Sequence, residues 1–386
     1  MVQVGRIKKG ARACVLIRRL GSRVLAVLLC FFVTHGLEIK AQSVLQRLGM
    51  NTNGDDFSAT LSADGTEMYY TLEEAGKQRV MRSAREGSEF GKGKEVVLIP
   101  SVKVQHIGAP TLSGDGQYMV FAALLTEHSG YGRTDLYSAR KVNGVWTDIR
   151  NLGVTVNSDG WDSQPCLSPD GSTLYFSSDR DNGKGGTDVY RCKRAGNAWL
   201  NAEPMPGINT NDDEMSPTIT ADNRRLYFSS KRLTGMGGFD LYVCALNNDS
   251  AGGATMLAAP INSVFNDYAL AMSAIGGYAC LSSDRPGGAG NIDIYSVPAS
   301  ALPEQHVVVV RGSIERSDTN MRTVPWISVY SLDDSRPPID VRVDDESGEY
   351  KTVVELGHRY AITSWETDAI IATKIIDVVE SERGSM

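Results

Sequence analysis

Carboxylates recur in this chain at positions that one alignment relates. Asp56, Asp162, Glu214 and Asp267 each stand five residues before the apolar residue that opens a turn phrase (Leu61, Leu167, Ile219, Met272), and Ile107 holds that place before Leu112. Four carboxylates gathered at one end of a ring would hold a cation or a basic partner, because converging negative charge in a dry mouth favours a positive one. The competing reading is that each accepts backbone hydrogen bonds at the entry of its own unit, and it is preferred, since repeated residues usually serve the repeated structure. Asp135, Asp188, Asp240 and Asp293, each two residues before a tyrosine and beside a glycine loop, are read as structural caps of local amides. Catalytic sets are missing. No Gly-x-Ser-x-Gly elbow and no phosphate loop occur, and His106, His128, His306 and His358 are not at metal-ligand spacing from one another. Cys192 and Cys244 fall at equivalent places in adjacent units, which argues for packing over zinc or catalysis. No enzyme, metal or cofactor is therefore expected.

The units that must position these groups are five in number. Leu167-Ser-Pro-Asp-Gly-Ser-Thr-Leu-Tyr-Phe-Ser-Ser-Asp-Arg180 returns at Leu61, Leu112, Ile219 and Met272, with first residues 51, 55, 52 and 53 positions apart. A second phrase, Thr134-Asp-Leu-Tyr137, Thr187-Asp-Val-Tyr190, Phe239-Asp-Leu-Tyr242 and Ile292-Asp-Ile-Tyr295, keeps the same step. Each unit reads as a short meander: a β-rich run, an Asp-Gly or Asp-Asn turn, a second run, a glycine loop and a third run. Sheets of about four strands repeated radially make a propeller, so the expected fold is an all-β, five-bladed β-propeller. Leu48-Gly-Met-Asn-Thr-Asn-Gly-Asp-Asp56 aligns with Pro206-Gly-Ile-Asn-Thr-Asn-Asp-Asp-Glu214, which places an orphan outer strand around residues 43–48. That strand is expected to complete the last blade and remove an exposed edge.

Outside the repeats, residues 1–41 read as an export signal: basic residues from Arg6 to Arg23, an apolar core from Val24 to Val33 and a small residue, Ala41, at the cleavage position. The apolar run is about half of the roughly 20 residues a membrane span needs. Removing it takes away eight Lys/Arg and one Glu, which moves the formal charge from −7 to −14. So acidic a chain, with no basic cluster, is a poor partner for nucleic acid. The propeller is assigned to 42–300, a linker to 301–305, a small β-sandwich to 306–380 and a tail to 381–386. The sandwich rests on alternating runs such as Val307–Ile314, Ile327–Tyr330 and Leu356–Thr363 between glycine and serine turns.

Ser168-Pro-Asp-Gly with Tyr175-Phe-Ser-Ser-Asp-Arg180 and Gly185-Gly-Thr-Asp-Val-Tyr190 resembles the WD40-like Pro-Asp repeat of TolB-type propellers and of Bacteroidetes envelope proteins, over about residues 43–298. The first unit departs from it after Thr71, where Glu73-Glu-Ala-Gly replaces Ser-Asp-Arg. Residues 306–378 resemble the carboxypeptidase regulatory-like, transthyretin-related module, through the Val-x-Gly start, the Gly348-Glu-Tyr350 hairpin and the Leu356-Gly-His-Arg-Tyr360 turn. Together they resemble part of a larger envelope architecture, members of which belong to the type IX secretion apparatus. That architecture carries an OmpA-like peptidoglycan-binding domain which is not expected here. The resemblance implies an exported, non-catalytic scaffold of the periplasm or outer membrane that binds a protein partner, in a secretion or outer-membrane assembly, with no span after signal cleavage. Two alternatives stand beside it. Ser168-Pro-Asp-Gly-Ser-Thr173 resembles part of a sialidase Asp-box, implying a glycosidase; a carbohydrate- or peptidoglycan-binding module would stack sugars on Trp146, Trp161 or Trp199, of which Trp161, next to Asp162, is the candidate at the ring mouth.

Overall fold

The computed structural model describes residues 45–100, 103–126, 130–247, 250–314, 326–366 and 369–378. The export signal, His128 and the tail lie outside the described residues. The described residues are all-β, with one short 3-10 turn at Ala299–Ala301. Five sheets follow one another along the chain, with inner strands Asp55–Leu61, Val104–Leu112, Asp162–Leu167, Glu214–Ile219 and Asp267–Met272; their pairings are antiparallel except at the outer edge of the second, where Leu98–Ile99 pairs parallel with Val145–Asn151. Each inner strand touches the inner strand of the next sheet, and that of the fifth touches that of the first. This is a β-propeller. Gln46–Arg47 pairs antiparallel with Asp293–Val297, Gln46 opposite Ser296, as the outermost strand of the fifth sheet.

The Tyr-Phe-Ser-Ser runs explain the stacking. Successive side chains of a strand point to opposite faces, and here both faces are buried against neighbours. Tyr175 packs with the fourth sheet through Leu226 and Phe228, while Phe176 packs with the second through Val120 and Leu136. The same division puts Tyr69 against the second sheet and Tyr70 against the fifth. Five apolar layers thus fill the five gaps. Each large side chain so buried contributes on the order of 2–3 kcal/mol.

Small hydroxyls do the rest of the joining. Every inner strand has a β-bulge at one equivalent residue, Ser58, Ala109, Gln164, Ser216 and Ala269, with φ of 48°, 46°, 50°, 52° and 50°. None is glycine, so each sits in a conformation that costs of order 1–3 kcal/mol. Three of the bulged amides are satisfied from the neighbouring sheet: Ala109 N–H donates to Thr71 Oγ1 (2.8 Å), Ser216 N–H to Ser177 Oγ (3.0 Å) and Ser58 N–H to Ser282 Oγ (3.0 Å). A second set of clamps comes from asparagine. Asn157, Asn209 and Asn262 each pair by two hydrogen bonds with the backbone of Leu136, Val189 and Leu241 in the preceding sheet. Asn51 makes the same pair with Ile294, across the seam where the ring closes.

The C-terminal part is a two-stranded sheet, Val307–Ser313 with Glu349–Glu355, packed on a four-stranded one in the order Ile339–Arg342, Trp326–Ser331, His358–Glu366, Ala369–Val378. Ile327, Val329, Val341, Val354 and Tyr360 form its core. It sits on the turn end of the propeller. Val307 and Val353 pack with Ala274, and Arg311 and Lys351 both reach the buried Asp64 carboxylate, at 2.9 and 3.0 Å. The stretch expected as a linker is part of this joint. Leu302 packs on the fifth-sheet core, and the Gln305 side chain accepts from Ala221 N–H (2.5 Å) and donates to Ser273 O (3.0 Å).

Candidate functional site

The aligned carboxylates are where a functional reading starts, and the structure takes them out of reach of a partner. Asp56, Asp162, Glu214 and Asp267 are all 0% exposed. One oxygen of each accepts from the backbone N–H of a Thr or Ser four residues earlier: Thr52, Ser158, Thr210 and Ser263. In three sheets an arginine eighteen residues on neutralises the charge. Arg180 reaches Asp162 at 2.6 Å, Arg232 reaches Glu214 at 3.4 Å, and Arg285 pairs with Asp267. Each guanidinium is itself seated over the ring of Tyr190, Tyr242 or Tyr295. Of the two readings, the geometry is that of the preferred one, backbone capping at each sheet's own entry; for three of the four the positive charge comes from within, and no carboxylate of the set faces open solvent.

Asp56 is the exception within the set. Glu74 occupies the place of the arginine, and Asp56 Oδ1 is buried without a hydrogen-bond partner. Burial pushes its carboxyl up to about 6, against the hydrogen bonds from Thr52 and with a contribution from Asp293 and Asp55 nearby. Asp135, Asp188, Asp240 and Asp293 are also buried. Each accepts two consecutive loop amides, Tyr131 and Gly132, Lys184 and Gly185, Met236 and Gly237, Ala289 and Gly290 respectively. They cap the glycine loops.

The described cysteines form no disulfide among themselves, and burial pushes the thiols of Cys166 and Cys244 up to about 11 and those of Cys192 and Cys280 up to about 12. They are protonated at neutral pH and poor nucleophiles. Among the described residues no three His, Cys, Asp or Glu side chains converge as a metal site requires. Of the three tryptophans weighed as sugar platforms, Trp146 and Trp199 are buried and pack between sheets. Trp161 is half-buried at the mouth.

The ring axis holds two cavities, and five equivalent bulges lie between them. The inner one, about 110 Å³, runs past Pro110, Pro165 and Pro217 and is floored by Val353 of the sandwich. The outer one, about 210 Å³, opens opposite the sandwich and is lined by Phe57, Gln78, His106, Gly108, Trp161 and Ser163, with Thr134 and Gln164 at its edges. Neither is lined by an Asp, Glu, Lys or Arg side chain. Its position off centre has a cause in the repeat. The residue before each bulge is Phe57, Gly108, Ser163, Met215 or Tyr268, so the second and third sheets carry the smallest groups at this position. Gly108 is required where it is, because a Cβ there would lie 2.8 Å from Thr71 Cγ2 and Oγ1. Sequence reasoning singled out Trp161 and missed Phe57, Gln78, His106, Gly108, Ser163 and the asparagine clamps. The clamps had a signal, the phrase Asn-Thr or Asn-Ser four residues before the carboxylate; the cavity is a missing bulk that only the strand register reveals.

The chain matches no protein-family model and no curated protein. Among solved structures it is similar to TolB from Acinetobacter baumannii, with 16% identity and a TM-score of 0.39 over 63% of this chain and 54% of that one. It is also similar to the endo-arabinase from Bacteroides thetaiotaomicron VPI-5482, with 14% identity and a TM-score of 0.45 over 66% and 97% of the two chains. A thermostable family-43 glycoside hydrolase gives 12% identity and a TM-score of 0.46 over 66% and 91%. The chain spans about half the length of the first of these. The likeness is one of fold.

Proposed function

We propose that this chain is an exported, non-catalytic binding protein, a five-bladed TolB-like ring that presents its open face to a protein partner in the cell envelope. The transthyretin-related sandwich holds the opposite face. The observation that carries this reading is the difference between the two faces. On the covered one, Asp64 is spent on Arg311 and Lys351. On the open one, apolar side chains stand in solvent on the interlocked loops of the fourth and fifth sheets: Leu233 is 97% exposed and Val264 71%, with Gly238 N–H donating to Phe265 O between the loops. Exposed apolar side chains grouped on adjacent loops mark interaction surfaces. Export is supported by the basic-then-apolar leader, and the envelope setting by the resemblance of the repeats. A glycosidase would need two carboxylates free to act on one bond, and the repeat carboxylates are buried, three in ion pairs with arginine and four others capping loop amides.

The test is affinity capture from native envelopes with the mature chain, with a Leu233→Asp, Val264→Asp double variant and with Ile375→Asp on the sandwich as control. The partner is expected with wild type and with the control and lost with the double variant. A protein that comes down alone from envelopes, or that cleaves a glycoside, ends this reading.

A further inference from the structure

We infer that the outer axial cavity is a subsite for one neutral sugar ring, formed where the second and third sheets lack the bulk that Phe57, Met215 and Tyr268 supply elsewhere. The inference concerns a different part of the open face from the apolar loops and does not depend on the protein-partner reading.

Three observations lead there. The first is that the cavity breaks the repeat. Ile107 stands where four other sheets have a carboxylate; His106 precedes it and lines the cavity. The second is the balance of polar groups. His106 Nδ1 is buried with no hydrogen-bond partner. The Gln78 amide gives its N–H to Glu73 at 2.8 Å, so its oxygen is the end not used in that bond. The Gln164 oxygen is taken by Ser177 Oγ and Ser216 N–H, both at 3.0 Å, so its NH₂ is the end not used there. With the Ser163 and Thr134 hydroxyls, the wall offers donors and acceptors side by side, the pattern that suits ligand hydroxyls, each of which both gives and accepts. The third is the aromatic pair. Trp161 and Phe57 present apolar ring surface to the same space, which suits the C–H faces of a sugar ring.

Charge and size narrow the ligand. No Lys, Arg, Asp or Glu lines the cavity, so a sulfated, uronic or sialic sugar would lose hydration without a compensating cation. At about 210 Å³ it is smaller than the roughly 300–1,000 Å³ of drug-sized pockets. That is room for a single ring with its neighbours left in solvent, such as a terminal residue of a glycan.

The experiment uses the mature chain and a panel of D-glucose, D-galactose, D-mannose, N-acetyl-D-glucosamine, their β-1,4 disaccharides and N-acetylneuraminic acid. Saturation-transfer NMR and calorimetry are the readouts. At least one neutral sugar should bind with Kd on the order of 1 mM, as expected for one small subsite, and N-acetylneuraminic acid should not. Trp161→Ala and His106→Ala should each weaken binding tenfold or more. Ser163→Phe, which gives the third sheet the residue of the first, should abolish it, with each variant's thermal midpoint checked against wild type. The Leu233→Asp, Val264→Asp double variant should bind the sugar like wild type, so a failure of the partner reading and a failure of this one give different results. Binding that survives both Trp161→Ala and Ser163→Phe, stronger binding of the anionic sugar, or no neutral sugar bound at tens of millimolar overturns the inference.

Discussion

Asp56 offers a quantitative test of how the ring handles its buried charges. Its three counterparts each have an arginine; it has none, and its carboxyl stands at about 6 against 3.8 for a free one. A raised carboxyl means that the folded state prefers the proton. Below about pH 3.8 both states are protonated and nothing is lost; through the window up to about 6 stability falls; above it the charged form costs about 3 kcal/mol, at about 1.4 kcal/mol per tenfold in proton affinity. Asp56→Asn removes the charge and keeps an oxygen for the Thr52 N–H and Oγ1, which now lie 2.5 and 2.9 Å from Oδ2. Those bonds lose about 1 kcal/mol when the acceptor is neutral. Since the value of about 6 already includes those bonds, the net expectation at pH 8 is a gain of about 3 kcal/mol, shrinking towards zero by pH 4. Urea unfolding of both proteins at pH 4, 5, 6 and 8 measures the difference directly. A difference independent of pH, or a wild type more stable than the variant at pH 8, refutes the reasoning.

Further outcomes follow from the same contacts. Arg285→Met strands the Asp267 charge in the fifth sheet and should cost about 3–5 kcal/mol in chemical denaturation; for the same reason, replacing Asp162, Glu214 and Asp267 by Asn tests the fold and not a partner. Thr71→Val removes the acceptor for Ala109 N–H between two sheets and should cost about 1–3 kcal/mol in the same assay. Leu45→Ala, at a residue 4% exposed in the fifth-sheet core, should cost about 2–5 kcal/mol and speed amide exchange in Asp293–Val297. Asp64→Asn should speed exchange in Val307–Ser313 at pH 5–8. In wild type, burial alone would raise the Asp64 carboxyl, but hydrogen bonds from Thr66 and Ser62 and the Lys351 ammonium outweigh it and hold it well below the usual carboxylate range. Its contribution is therefore present at pH 5–8 and lost only as the pH falls below about 3.8.

The sheets were legible because two phrases keep one period and because the Asp-Gly turns and alternating runs each dictate a local conformation. The fate of the carboxylates was half legible. Arg180, Arg232 and Arg285 belong to the same repeated phrases, yet the distance of eighteen residues closes only when two strands pair, Asp162 opposite Ser178 and Asp267 opposite Ser283. Trp146 and Trp199 could not be told from Trp161 by sequence, since exposure depends on which gap between sheets an outer strand fills. The bulge at Gln164 was not legible either. Nothing about a glutamine announces a positive φ, and without that kink the residues before and after it exchange faces.

The latch at Gln46–Arg47 has a mechanical consequence. The strand that finishes the fifth sheet is joined to a partner 250 residues away, where Ser296 Oγ donates to Gln46 O. A chain made from its N-terminus must hold this strand uncommitted until nearly all of the ring exists, so the first segment out is the last to be seated. Afterwards the two ends carry load differently. Tension applied ahead of Leu45 peels a two-residue strand from one sheet, a few bonds at a time. Tension applied through the sandwich is met at once by Asp64, Gln305 and the apolar contact around Val353, which must all shear together. An attachment at the N-terminal side would thus be the one that opens the ring under force, and one at the C-terminal side would leave it shut.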